Sequence, residues 1–249
     1  MSEKNSFLGL GMLGGLLAVG LIAAAFILGT QFKNFRQPGT ITVKGLAEKE
    51  FKSDSAQWAT SVSLHADSYQ QVLDALNTHR PALKKFLLAQ GFEENEIQTG
   101  APEITRAYIT EYDENRNERR IPNGYDGTQS LTVRTNKLDK IKAAHKGILN
   151  LRAKNEYIDF SAPQYLLGNL EAIKRDLINQ ATTDAQQRAQ EFAKTGGGKV
   201  GTMRSASQGS FNIYADNGSS EEEDYGGTYD KSTIDKQVRL VVTIEYNID

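Results

Sequence analysis

The chain has 249 residues, with 29 Lys and Arg against 31 Asp and Glu, a formal net charge of -2 and no cysteine. So balanced a charge provides no global field to draw in a polyanion, which removes nucleic acid from the expected partners. The lack of cysteine excludes disulfide frameworks, thiolate zinc sites and cysteine nucleophiles. It suits an oxidising compartment without requiring one.

After a short tail at residues 1–6, Phe7 to Leu28 runs without one charged or polar side chain. About twenty apolar residues rising about 1.5 Å each make a rod of roughly 30 Å, the thickness of a bilayer's hydrocarbon layer. The expectation is a transmembrane signal anchor over 7–28, with the lipid bilayer as its partner. Ala23 and Ala25 also form an A-x-A pattern, so a cleaved signal peptide is the alternative. Cleavage there would leave Phe26, Ile27 and Leu28 as an exposed apolar end, and the run exceeds the 7 to 15 residues of an ordinary signal core. Gly11 and Gly15 make a G-x-x-x-G pair, the spacing that lets two membrane helices approach closely. They are the candidate helix-contact residues. A literal count of Lys4 against Lys33, Arg36 and Lys44 puts the following domain in the cytoplasm.

A polar linker at 29–39 ends in Pro38-Gly39, a turn signal. Ile41 and Val43 read as a strand broken at Gly45. Ala56, Trp58, Thr60, Val62 and Leu64 then alternate with polar or small residues, predicting a strand with one buried face and Trp58 as a core anchor. Ser68 is placed to cap a helix whose stripe is Tyr69, Val72, Leu73, Leu76, Leu83, Phe86 and Leu87, ending at Gly91. Pro81 inside it predicts a kink or a second start, and His79 a solvated position.

Ile97 to Ile109 reads as a strand interrupted at Pro102, and Tyr112 to Gly124 as a charged hairpin loop. Gln129 to Thr135 alternates as the next strand. Lys137 to Leu151 follows as a basic amphipathic helix with Leu138, Ile141, Ala144, Ile148 and Leu151 inward. Lys140, Lys142, His145 and Lys146 lie on its other positions, where a solvated face is the ordinary reading and an anion or membrane surface the alternative. Tyr157 to Pro163 reads as a strand, and Leu170 to about Lys194 as the longest helix, with a stripe that passes from large residues to alanines.

Gly196-Gly197-Gly198-Lys199 lacks the hydroxyl and the strand-to-helix setting of a phosphate loop, so it reads as a helix C-terminus. Val200 to Ile213 is a strand, and Ala215 to Ser232 a mobile acidic hairpin tip containing Glu221, Glu222, Glu223 and Asp224. A divalent-cation role for that run is the lesser reading, because calcium loops space their ligands around a glycine turn. Val238, Leu240, Val242, Ile244 and Tyr246 form one face of a final strand, and with Val241 also apolar that strand belongs in the middle of a sheet.

Strand pairs beside helices without strict alternation indicate an α+β fold over 40–249, with largely antiparallel sheets and amphipathic helices packed on one face. A division into two lobes would fall near 136–155.

Ile41-Thr-Val-Lys-Gly-Leu-Ala-Glu48, then the Trp58 to Leu64 strand, then Ala181 to Lys194 with Gly196 to Gly201 and the Val238 to Tyr246 strand, resemble the bacterial SIMPL-domain family in order and spacing. The resemblance spans nearly all of Thr40 to Ile248. It implies a periplasmic or cell-surface location, an α+β fold, homo-oligomers, and a protective role in oxidative stress. It supplies no catalytic residues. Taken with the anchor, it implies a single-pass inner-membrane protein with its C-terminal domain in the periplasm, against the charge count.

The expected function is therefore a non-enzymatic, membrane-anchored SIMPL-like domain that self-assembles or docks to envelope proteins, with no catalytic, cofactor-binding or metal-binding residues assigned. The alternatives are a small-ligand or divalent-cation module using the acidic run, and a carboxylate-dependent hydrolase. His65, His79 and His145 fall on different elements, which disfavours the latter. A cleft joining His65 to Asp54 or Asp67 and a hydroxyl would favour it.

Overall fold

The structure, a computed structural model, describes residues 15, 17–27, 39–112, 116–216 and 227–248. Helix α1, residues 17–27, belongs to the expected membrane segment, the rest of which, apart from Gly15, lies outside the described residues. Two compact units make up the chain: Gly45–Asp184 with Gln208–Val242, and Met1–Lys44 with Ala185–Ser207 and Thr243–Asp249. Residues 136–155 all fall in the first.

The first unit contains a six-stranded antiparallel sheet of β2 (Ser55–Ala66), β3 (Ile97–Thr99), β4 (Glu103–Tyr112), β5 (Glu118–Thr135), β6 (Ile158–Phe160) and β7 (Gln164–Leu166). Its axis is the β2–β5 pair, in register from Ala56 opposite Thr135 to Ala66 opposite Tyr125. That register puts Trp58 beside Val133, Thr60 beside Leu131 and Leu64 beside Gly127, all on one face. Successive strand residues point to opposite faces, so the intervening polar residues share the other.

Helices α2 (Tyr69–Ala89) and α3 (Leu138–Arg152) supply the apolar cover. Val72, Leu76, Leu83 and Leu87 from α2 and Ile141, Ala144 and Ile148 from α3 join Trp58, Val62, Leu131 and Val133 in one buried cluster. Each such side chain contributes roughly 1.5–3 kcal/mol when fully buried. Trp58 is wholly buried, and its indole N–H donates to the Ser161 carbonyl at 2.9 Å, which satisfies its one polar atom.

The ends of α2 are set chemically. Ser68 and Gln71 form a reciprocal capping box. At the other end Gly91 takes φ +86°, its N–H donates to Leu88 O and Phe92 N–H donates to Leu87 O, a Schellman close. Pro81 does not start a second helix: α2 runs through it as one element from Tyr69 to Ala89. Proline deprives the carbonyl four residues earlier of its donor and crowds it, and that residue, Asn77, is exposed, so water can take the donor's place.

The charged stretch after Tyr112 also departs from expectation. Instead of a loop to Gly124, β5 already begins at Glu118 and pairs with β4 from Tyr112 opposite Glu118 to Tyr108 opposite Pro122. Mixed charges are here the exposed side chains of a long hairpin, and Pro122 is tolerated where the ribbon has solvent around it.

A second sheet runs β1-β9-β8, with β1 Gly39–Lys52, β8 Val200–Ala215 and β9 Asp235–Ile248. Strand β1 continues through Gly45 instead of breaking there. Strand β9 is central as expected, with Val238, Leu240, Val242, Ile244 and Tyr246 all buried. Helix α4 (Leu170–Thr195) buries Leu177, Ala181, Ala185, Ala189 and Ala193 along one stripe. In the first unit Asp184 accepts the Leu46 N–H at 2.9 Å and Asp176 pairs with Lys49 at 3.1 Å, tying α4 to β1. In the second unit α4 closes on Gly197 at φ +74°, with Gly197 N–H to Lys194 O and Gly198 N–H to Ala193 O. The triple glycine is thus a Schellman close, as its position after a helix predicts.

Gly127 is where α2 meets the sheet most closely. A Cβ built there would stand 2.1 Å from Val72 Cγ1 and 3.3 Å from Leu76 Cδ1. Gly127→Ala should therefore lose about 1–3 kcal/mol of stability by forcing α2 outward, read as a lower denaturant midpoint at unchanged slope. An unchanged midpoint would show that the seam yields freely.

Candidate functional site

The face of the six-stranded sheet turned away from α2 and α3 carries a row of polar and ionisable side chains. His65 and Asp126 stand directly opposite each other in the β2–β5 register, Ser63 opposite Thr128, and Ser61 opposite Ser130. His65 Nδ1 lies 2.8 Å from Asp126 Oδ1, and Ser63 Oγ 3.1 Å from Thr128 Oγ1. Strand β4 adds Thr105 opposite Asp126 and Glu103 opposite Thr128. On the opposite, helix-covered face Arg106 donates to the Tyr125 hydroxyl at 3.2 Å, and this contact together with the charge of Tyr125 raises the guanidinium pKa further.

This row is a surface, not a cleft. The His65 and Asp126 side chains are 42% and 63% exposed, and the two hydroxyls bond each other instead of the imidazole. His65 thus takes Asp126, and neither Asp54 nor Asp67, as its carboxylate. Asp54 instead accepts the Gly168 N–H with both oxygens at 2.9 Å and the Ser55 hydroxyl at 3.0 Å, closing the turn after β7. Chemically the row offers exchangeable polar contacts and one histidine–carboxylate pair, and an exposed pair of that kind contributes under about 1 kcal/mol.

The other histidines lie elsewhere in the same unit. His79 is not a solvated helix position: Asn155 Nδ2 is 3.1 Å from its Nδ1, and the Tyr157 ring packs at 4.7 Å between centroids. His145 meets the edges of Trp58 and Phe160 at 5.9 and 5.6 Å, so it belongs with the aromatic cover and not with the neighbouring lysines. Lys140 donates to the Gly91 carbonyl, holding the close of α2. Lys137 pairs with Glu93 at 2.6 Å and Glu96 at 3.0 Å, and these contacts raise its pKa. Glu96 is pushed up by burial but pulled down further by Thr135, the Glu93 backbone and Lys137, so it stays ionised. An open hollow of about 600 Å³ is edged by Lys52, Lys137, Lys140 and Lys142 together with Asp139 and Asp235, and three of those lysines are engaged: Lys52 with Asp235, Lys137 with Glu93 and Glu96, and Lys140 with the Gly91 carbonyl.

Periodicity left one group of residues unread. Residues 227–232 were expected to belong to the mobile tip, yet they are firmly bonded. Tyr229 OH accepts the Leu167 N–H at 2.8 Å, Lys231 O accepts the Tyr165 N–H at 2.8 Å, and Asn212 Oδ1 accepts the Thr228 N–H at 2.8 Å. Asp230 takes hydrogen bonds from the Ser232 and Thr233 hydroxyls at 2.6 Å each and from both their N–H groups. Lys236, fully buried, donates to Asp230 Oδ2 at 2.8 Å and to its carbonyl at 2.6 Å. The D-x-S-T pattern was the available signal, since an aspartate followed by two hydroxyl residues is a turn former. Glu221 to Asp224 lie outside the described residues, as does Gly11. Gly15 is helical, with open space where a side chain would be. Among the described residues no group of three or more His, Cys, Asp or Glu is arranged to hold a metal ion.

Burial alone would raise the Asp230 pKa, but the Lys236 ammonium and the Ser232 and Thr233 donors outweigh it and hold the carboxyl well below its usual range. Its contribution to stability is then complete above the unfolded value of about 3.9 and fades as pH falls through the acid range below that. Lys236→Met, which strands the partly buried carboxylate, should cost about 3 kcal/mol at pH 7. The deficit relative to wild type should shrink below about pH 4. Denaturation curves at pH 7 and pH 3 measure both, and an equal deficit at the two values would refute the ion pair as its source.

No curated protein matches the chain. Among solved structures, a crystal structure of a hydrolase from Listeria innocua is similar at 10% identity, covering 88% of this chain and 98% of that one. The TM-score of 0.19 is too low to bear on fold or activity. The sequence profile of SIMPL, described as a protein of unknown function (DUF541), matches residues 41–246. That span takes in every strand from the Ile41 motif to Tyr246, and the chain belongs to the SIMPL family.

Proposed function

We propose that this protein is a membrane-tethered, non-enzymatic domain of the bacterial envelope that assembles with copies of itself. The observation that carries the tether is the surface of α1. Leu17, Val19, Leu21, Ile22, Phe26 and Ile27 are each 59–74% exposed. Six large apolar side chains standing out from one short helix call for an apolar surrounding. Among the described residues no helix is long and apolar enough to cross a membrane; residues 17–27 account for about 16 Å of rise. The uncharged run from Phe7 to Leu28 supplies the remaining length.

The non-enzymatic reading rests on how the ionisable groups are used. Asp54, Asp184, Asp230 and Glu96 bind backbone or buried partners that close turns and join elements. The exposed His65–Asp126 pair faces open solvent. A protective role in envelope or oxidative stress follows the SIMPL resemblance, and it acts through assembly or docking instead of turnover. Direct scavenging has little chemistry to draw on, with three methionines and no thiol in 249 residues.

Membrane fractions washed with alkaline carbonate should retain the full-length protein, while a chain beginning at Gly39 should remain in the supernatant. A periplasm-dependent reporter fused after Asp249 should be active. Release of the full-length chain by the wash would sink the tether, and an inactive reporter would reverse the orientation.

A further inference from the structure

We propose that the outer edge of β8, over Thr202–Ser207, is the surface on which two copies of this chain join, by antiparallel pairing of β8 with β8 of a second copy. This deepens the self-assembly reading above and rests on it.

An unpaired strand edge presents a row of N–H and C=O groups that can template a further strand, and soluble proteins disarm such edges with charge, bulges or shortness. The other edges here are disarmed. Strand β1 carries Lys44, Glu48, Lys49, Glu50 and Lys52. Strand β4 carries Glu103, Arg106 and Glu111 and is irregular between Arg106 and Tyr108. Strands β3, β6 and β7 have three residues each. Strand β8 is different. It has 16 residues, occupies one end of the β1-β9-β8 order, and contains a single charge, Arg204.

That charge is already neutralised. Arg204 Nη1 lies 3.4 Å from Glu245 Oε1 on β9 within the same unit, and Ser205 donates to the other Glu245 oxygen at 3.3 Å. Every residue from Thr202 to Ser207 is exposed, and among the described residues no strand pairs with the outer edge of β8 there. Further along, at Ile213, the chain covers the strand itself: Ile213 N–H donates to Thr228 O and Asp230 N–H donates to Ile213 O. Among the described residues the edge is thus sealed by the protein's own backbone at one point and left unpaired at another, where its one charge is neutralised.

The sequence of the bare stretch suits a second copy. With Ser205 opposite Ser205 of the other chain, Arg204 falls opposite Ala206 and Met203 opposite Ser207, so no like charges face each other. A two-fold pairing of this kind consumes both bare edges at once. It yields one six-stranded sheet ordered β1-β9-β8-β8-β9-β1, bounded at both ends by the charged β1 strand, which disfavours further growth.

The test uses the full-length protein in mild detergent, with mass read by light scattering. Met203→Lys combined with Ser207→Lys puts lysine opposite lysine in the proposed register. It should raise the dissociation constant of the assembly at least about tenfold with the far-UV spectrum unchanged. Because the chain has no cysteine, Ser205→Cys gives an independent reading that survives any misfolding of the lysine variant. Mild oxidation should produce a disulfide-linked dimer, since facing residues of an antiparallel pair have a Cα spacing of about 4.5–5.5 Å; Thr42→Cys on β1 should produce none. An assembly whose mass the lysines leave unchanged, with no dimer from Ser205→Cys, overturns the β8 interface while self-assembly by another surface stands. A wild-type chain that is monomeric overturns both.

Discussion

The β2–β5 pairing is the constraint on which the larger unit depends. A strand's side chains alternate with a period of two, so a one-residue slip between Ala56–Ala66 and Tyr125–Thr135 would put Trp58 and Val62 on the opposite face from Leu131 and Val133, turning one pair to solvent. Register is held from both sides. On the covered face Gly127 admits Val72 and Leu76 of α2, and the Thr60 hydroxyl donates to Leu131 O at 2.7 Å. On the open face the His65–Asp126 and Ser63–Thr128 pairs match only in this alignment. The same register that builds the core therefore lines up the polar row. That row needs no catalytic purpose to account for its order.

Elements with a strong local period were legible before any coordinates. Ala56, Trp58, Thr60 and Val62 and the even residues of Val238–Tyr246 lie buried as their alternation predicts, with Leu64 half-buried; of the α2 stripe Val72, Leu76, Leu83 and Leu87 are buried, Leu73 and Phe86 half-buried and Tyr69 exposed. The glycine run after α4 was readable because a helix end and a phosphate loop ask for different neighbours. What escaped was set by partners distant in sequence. Strand β5 extends back to Glu118 because β4 offers it a ladder, which outweighs the turn propensities of Pro122, Asn123 and Gly124. His79 and His145 look solvent-facing on a helical wheel, yet Tyr157 and Asn155 for one and Trp58 and Phe160 for the other arrive from more than ten residues away. Of the candidate site, His65 was named but its carboxylate was not, because Asp126 becomes its neighbour only through the cross-strand register.

The histidine pairings also bear on function. General acid–base catalysis requires a titratable group within reach of a bound substrate and a shaped, water-poor pocket. His145 is spent on aromatic packing, His79 on a helix-end contact, and His65 on an exposed sheet. Each is separately useful to the fold, and the three are held on different elements by different partners.

The Asp230–Lys236 knot shows how such a domain secures a difficult turn. A buried ion pair contributes little net stability, because desolvating both ions cancels most of their attraction, and a well-packed apolar pair of similar volume would serve as well energetically. What an apolar pair lacks is direction. Lys236 Nζ addresses two oxygens of one residue six positions back, while the Asp230 carboxylate receives the N–H and hydroxyl groups of Ser232 and Thr233. Every one of those donors loses its acceptor if the chain slips by a residue between Asp230 and Lys236. Asp235, the first residue of β9, accepts the Asp216 N–H at its carbonyl, so the turn also sets the phase in which β9 enters its sheet. With a period of two, that phase decides whether Val238, Leu240 and Val242 face inward. The knot thus does for the second sheet what Gly127 and its cross-strand neighbours do for the first.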